Sequence, residues 1–167
     1  MIAVGALAVA GCGSSSNSNS SSSSSSGSSS SSSSTTLTHS QLVAQANALC
    51  SQRNAQVSKL PKALAHPSSL KQAATYLGDV ASINGPLLAK FHALKPPASD
   101  QATWSKAMAD NDAEESLLNS ARTAAASGNA AAVQSLITKA GPISKRLQTE
   151  AAQLGLTQCL VNPTPSG

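Results

Sequence analysis

"LTHSQLVAQANALCSQRNAQVSKLP" occupies Leu37 to Pro61, and its spacing decides the fold. Thr38 stands three residues before Gln41. That is the pattern of a capping box, in which two side chains satisfy backbone N–H groups at a helix start. Leu37 and Leu42 take the staple positions on either side of it. From there Leu42, Ala46, Leu49, Arg53, Val57 and Leu60 recur at steps of four and three, which places them on one helix face. Arg53 interrupts that face. Pro61 and His66-Pro67 close the segment.

Three further helices follow toward the C-terminus. Ser69, with Gln72 as its box partner, opens one whose stripe runs through Leu70, Leu77, Val80, Leu87 and Phe91 to a stop at Pro96-Pro97. Another opens at Ser99, carries Trp104, Met108, Leu118 and Ala125, and ends at Gly128, a residue suited to a left-handed C-cap. Asn129 caps the last, with Val133, Leu136, Ala140, Ile143, Leu147, Ala151 and Leu154 inward, and Gly155 ends it. No stretch alternates as a strand does. Short connections between amphipathic helices favour antiparallel neighbours. The expected fold is therefore an all-α, up-down-up-down four-helix bundle over residues 37–162, followed by a disordered tail, 163–167.

Two features qualify that bundle. Gly85-Pro86 and Gly141-Pro142 fall inside the second and fourth helices. An interior proline removes a donor and clashes with the preceding turn, at about 3 kcal/mol, so a kink or a break is expected at each. Aromatic residues are only 2% of the chain, and the core must be built from Ala, Leu, Val and Ile. Alanine buries little area, so such a core gains from a covalent staple.

The N-terminal third is of another kind. All 11 basic and seven acidic residues lie at Arg53 or later. Ile2–Ala10 is apolar but too short for a hydrocarbon core, which needs about 20 helical residues. Its length suits the apolar region of a secretory signal. No basic residue precedes it, so residues 1–11 are expected to be a signal peptide whose start lies upstream. Val9-Ala10-Gly11-Cys12 resembles the lipobox of bacterial lipoproteins, which implies cleavage before Cys12 and a diacylglycerol on its thiol. Two or more acyl chains anchor stably. Residues 12–36, nearly all serine after Cys12, offer no apolar face and are expected to stay disordered as a tether.

With Cys12 taken by lipid, Cys50 and Cys159 remain. Export places them in an oxidising compartment, where a disulfide persists. Were the chain not exported, two buried thiols would be the reading instead. Neither a metal site nor a redox pair is suggested, because there is no Cys-x-x-Cys. The lipobox, the serine tether, "ANALCSQRNAQVSKLP" (Ala46–Pro61) and "AAQLGLTQC" (Ala151–Cys159) together resemble small extracytoplasmic lipoproteins of actinobacteria. The resemblance implies an address on the outer face of the cell membrane and a Cys50–Cys159 pairing, and it transfers no catalytic residue.

Asp110-Asn111-Asp112-Ala113-Glu114-Glu115 is the most site-like cluster. It begins as a calcium loop does, but lacks glycine at the sixth position and has Ala121 at the twelfth, so it fails the EF-hand pattern. A carboxylate-bridged metal centre in a bundle would need Glu-x-x-His. If the last two helices fold back about Gly128, Asp110 comes level with Arg146, and Glu114 and Glu115 approach Lys139. Charge pairing accounts for the cluster on that basis. His39, His66 and His92 have no evident nucleophile to serve. A net charge of +4 with dispersed lysines and scarce aromatics gives no nucleic-acid signature. No motif implies a cofactor or an enzyme.

Two readings of function follow. In one, the chain is a tethered binding or interaction module, anchored in the membrane through Cys12, meeting an envelope protein or wall polymer by a helix face or a groove at the kinks. In the other, an envelope enzyme or metal-binding protein uses Asp110, Asp112, Glu114 and Glu115. The anchor is checked directly. Labelled palmitate fed to cells is expected to enter the wild-type protein and not Cys12→Ser; equal labelling of the two would remove Cys12 as the point of attachment.

Overall fold

The computed structural model describes residues 36–162 and Pro165, within a unit that spans Ser34–Gly167. The signal segment, Cys12, the serine tract as far as residue 35 and the rest of the 163–167 tail lie outside the described residues. The fold is all-helical: α1 (His39–Val57), a four-residue α2 (Lys62–Ala65), α3 (Leu70–Ala93), α4 (Gln101–Ala126), α5 (Ala130–Gln153) and a 3₁₀ turn (Thr157–Leu160). The four long helices run up, down, up and down.

Local chemistry sets most of the boundaries. Thr38 and Gln41 complete the capping box on α1. Ser69 accepts from Gln72 N–H on α3, but the Gln72 side chain reaches back to Ser68 instead of Ser69, so only half of that expected box forms. α4 starts one residue later than expected, with Asp100 and not Ser99 at the N-cap. The Asp100 carboxylate turns away from its own helix to meet His39 Nδ1 at 2.7 Å and Ser99 Oγ at 3.2 Å. Gly128 and Gly155 both have positive φ, 76° and 74°. In each case the next N–H bonds the carbonyl five residues back, Asn129 to Ala124 and Leu156 to Ala151. These are the bonds of a Schellman end, which favours glycine. Asn129 then accepts from Ala132 N–H at 3.0 Å to open α5.

Each proline-bearing helix runs on without a break. Pro86 and Pro142 lie on exposed faces, where a carbonyl left without a donor meets water. The carbonyls they orphan belong to Ser82 and Thr138, four residues earlier. Both of those hydroxyls bond back a further turn, Ser82 to Gly78 O at 2.9 Å and Thr138 to Gln134 O at 3.0 Å. The glycine before each proline answers the proline itself, whose ring crowds a preceding Cβ; no neighbouring group approaches either position.

α3, α4 and α5 form a layer with α4 in the middle, while α1 packs against α3 and the 3₁₀ turn. One core joins them: Leu42, Ala46 and Cys50 of α1 meet Phe91, Trp104, Met108, Ala151 and Leu154. Phe91 and Trp104 pack with ring centroids 6.2 Å apart. At 19 residues α1 spans ~28 Å, against ~36–39 Å for the others. It therefore covers only part of the layer. Among the described residues no helix is long and apolar enough to cross a membrane.

The closing turn is fixed to α1 by a disulfide between Cys50 and Cys159, with Cα atoms 5.0 Å apart. Three α1 side chains on the same face reinforce it. Asn47 Oδ1 accepts from Gln158 N–H at 2.9 Å, Asn54 donates to Gln158 O at 2.9 Å, and Ser51 Oγ lies 3.4 Å from Gln158 Oε1. The bridge joins residues 109 apart. A loop of that length is expected to contribute about 4–5 kcal/mol through the unfolded chain. Urea unfolding of the oxidised protein against the Cys50→Ser, Cys159→Ser double variant measures it; coincident midpoints would deny the bridge a stabilising role.

Candidate functional site

The uncovered part of the layer leaves a cleft of about 360 Å³ between α1, α3, α4 and α5. Its walls are chiefly apolar, running from Phe91 and Trp104 past Leu87 to Leu118, Leu136 and Ile137. Ile137 at the rim is 49% exposed. The cleft passes inside both glycine-proline steps, since Asn84 and Leu87 flank Pro86 while Ala140 and Ser144 flank Pro142.

A line of polar side chains crosses this cleft at one level, three from α4 and one from each of the other long helices. Arg53 Nε donates to Asn84 Oδ1 at 3.0 Å. Asn84 Nδ2 donates to Glu115 Oε2 at 3.4 Å, and Asn119 donates to the other Glu115 oxygen at 3.1 Å. On the far side Ser144 Oγ donates to Glu114 Oε1. All of these groups are part-buried. Arg53, the interruption in the α1 stripe, thus points into the cleft. Among the described residues its guanidinium makes no ion pair, and the bond from Nε is its only hydrogen bond.

The acidic cluster disperses around α4 and does not converge. Asp110 forms a two-pronged bond with Arg146, at 2.7 Å to Nε and 2.6 Å to Nη2, as the fold-back register requires. Asp112 turns to α3 and meets His92 Nε2 at 2.8 Å. Glu114 faces Ser144, and Glu115 faces Asn84 and Asn119. Neither glutamate pairs with Lys139, contrary to expectation. Lys139 lies seven residues before Arg146, and Leu117 seven after Asp110, so the same register sets Lys139 level with Leu117. Among the described residues no three His, Cys, Asp or Glu side chains gather as metal donors would. Comparison with known protein families, curated proteins and solved structures finds no match to this chain.

Sequence reasoning missed the polar crossing and the two histidine contacts. The helix register holds the missing signal. Contacts between α3 and α4 join Phe91 to Trp104, His92 to Asp112 and Asn84 to Glu115. Once α3 and α4 are folded back about Pro96-Pro97, these pairs fall at similar levels. Which of them touch depends on helix rotation.

Two carboxylates on α4 and α5 move in opposite directions. Arg146, through its hydrogen bonds, holds the Asp110 carboxyl below its ordinary value, against a smaller opposing effect of burial. Glu150 is 8% exposed, and among the described residues its Oε2 has no hydrogen-bond partner. Burial, followed by repulsion from Asp110, raises its pKa. A raised carboxyl favours folding while protonated, below its unfolded pKa, and loses that contribution as pH rises through the folded value. Glu150→Gln is therefore expected to raise the thermal midpoint at pH 7, with the gain shrinking as pH falls toward about 4. Equal gains at both ends of a melting series would exclude ionisation as the cause.

Proposed function

We propose that this protein is a lipid-anchored binding protein on the outer face of the cell membrane, whose helical domain takes a small amphipathic ligand into the interhelical cleft. In this reading an acylated Cys12 attaches the chain and the serine tract holds the domain clear of the lipid. The bridge between Cys50 and Cys159 supports that address, because such bonds persist in oxidising compartments. The cleft carries the functional part of the reading. Ligand sites are concave spaces of roughly 300–1,000 Å³, largely apolar, with a few placed polar groups. A space of about 360 Å³ with Arg53, Asn84, Glu114 and Glu115 among apolar walls has that composition.

Ser144 does set a hydroxyl on the Glu114 carboxylate, but among the described residues no third side chain is hydrogen-bonded to Glu114 to orient it as a base. The chiefly apolar walls are better accounted for by binding than by turnover. N-phenylnaphthylamine, a neutral dye that brightens in apolar surroundings, tests the proposal on the full chain carrying Cys12→Ser. Saturable one-to-one binding is expected. Ala140→Phe, on a partly buried wall residue, is expected to weaken it by about tenfold with the melting temperature retained. Absence of saturable binding, or an unaltered affinity in the filled variant, would overturn the assignment.

A further inference from the structure

The polar crossing differs from a structural hydrogen-bond line in one respect: its cation is only half used. Asn84 is committed at both ends, accepting from Arg53 Nε and donating to Glu115. Glu115 takes donors on both oxygens, and Glu114 takes one from Ser144. Arg53 is the exception. Among the described residues no acceptor meets either Nη group, so the two-pronged end of the guanidinium keeps its donors. Asn84 holds the other edge and thereby orients that end.

An arginine fork matches the geometry of a carboxylate or phosphate, which receives two parallel hydrogen bonds from it. We infer that the cleft binds an amphipathic anion, an apolar chain whose oxyanion head sits on the Nη groups of Arg53. The inference rests on the cleft being a ligand site. The apolar chain would lie toward Leu118, Leu136 and Ile137, which α1 leaves incompletely covered. Glu114 and Glu115 oppose an anion electrostatically, but neither forms an ion pair with Arg53, and their bonded oxygens already face protein donors. A net charge of +4 on the chain favours the approach of an anion. A cationic head, by contrast, would find both Glu115 oxygens taken by Asn84 and Asn119, with only Glu114 Oε2 left without a donor among the described residues.

Displacement of N-phenylnaphthylamine from the Cys12→Ser full chain decides the head group. Oleate and oleyl phosphate, which share the tail and the oxyanion, are compared with oleyl alcohol and oleylamine below their aggregation concentrations. Both anions are expected to displace the dye about 10–100-fold more effectively than the alcohol, the range of a charge-assisted hydrogen-bond pair. Oleate alone would assign a carboxylate, and oleyl phosphate alone a phosphate. Arg53→Gln is expected to abolish the preference for anions while leaving the alcohol within about twofold. Arg53→Lys, which keeps charge and loses the fork, is expected to fall between. Equal displacement by alcohol and anions, or tighter displacement by the amine, would overturn the head-group assignment with the cleft still standing. Failure of the dye itself to bind would instead remove the cleft as a site. Should Arg53→Gln not fold, the wild-type ranking of the four competitors still decides.

Discussion

The position of α1 governs this molecule, and a covalent bond holds it. α3, α4 and α5 pack as consecutive antiparallel neighbours, whereas α1 meets the layer through α3, the small core around Leu42 and Ala46, and the 3₁₀ turn. Cys50 ties it to that turn, and Asn47 and Asn54 bond the backbone beside the sulfur bridge. The staple matters because the core is poor. Among the described residues Leu42 is the one large side chain that is fully buried, and alanine on the facing helices contributes little buried area.

A short helix over longer ones leaves space, and here the space has chemistry. Leu77, Leu118 and Leu136 stay only partly buried where α1 no longer covers them. Arg53 sits near the edge of that coverage, on the apolar face of its own helix. A guanidinium among apolar groups is costly unless its donors are met. Asn84 meets one of them. Departures from the pattern that otherwise specifies a fold tend to mark functional positions, and Arg53 is such a departure, which is why the proposed binding role centres on it.

The α4–α5 pair shows how placement, more than residue type, sets electrostatic behaviour. Asp110 and Glu150 are both carboxylates near Arg146. Asp110 faces the guanidinium and is held ionised by direct bonds. Glu150 lies one turn after Arg146 on the same helix, buried and, among the described residues, without a donor to Oε2, and its proton is held more tightly.

What could be read from the residues alone was whatever chemistry acts over a few positions. The box at Thr38, the caps at Ser69 and Asn129, the left-handed ends at Gly128 and Gly155 and the all-helical bundle all follow from neighbours within a turn or two. The pairing of Asp110 with Arg146 was legible as well, because a tight turn at Gly128 transmits register down two helices. The polar crossing was not. Arg53, Asn84, Glu115 and Ser144 lie about thirty residues apart in sequence, and their meeting depends on how far each helix is rotated about its own axis. Rotation is settled by packing across the whole layer, which no local spacing encodes. The same holds for Asp100, which takes the N-cap position of α4 in place of Ser99 while its carboxylate meets His39 of a distant helix, and for the cleft, which exists only because helices of unequal length are held side by side.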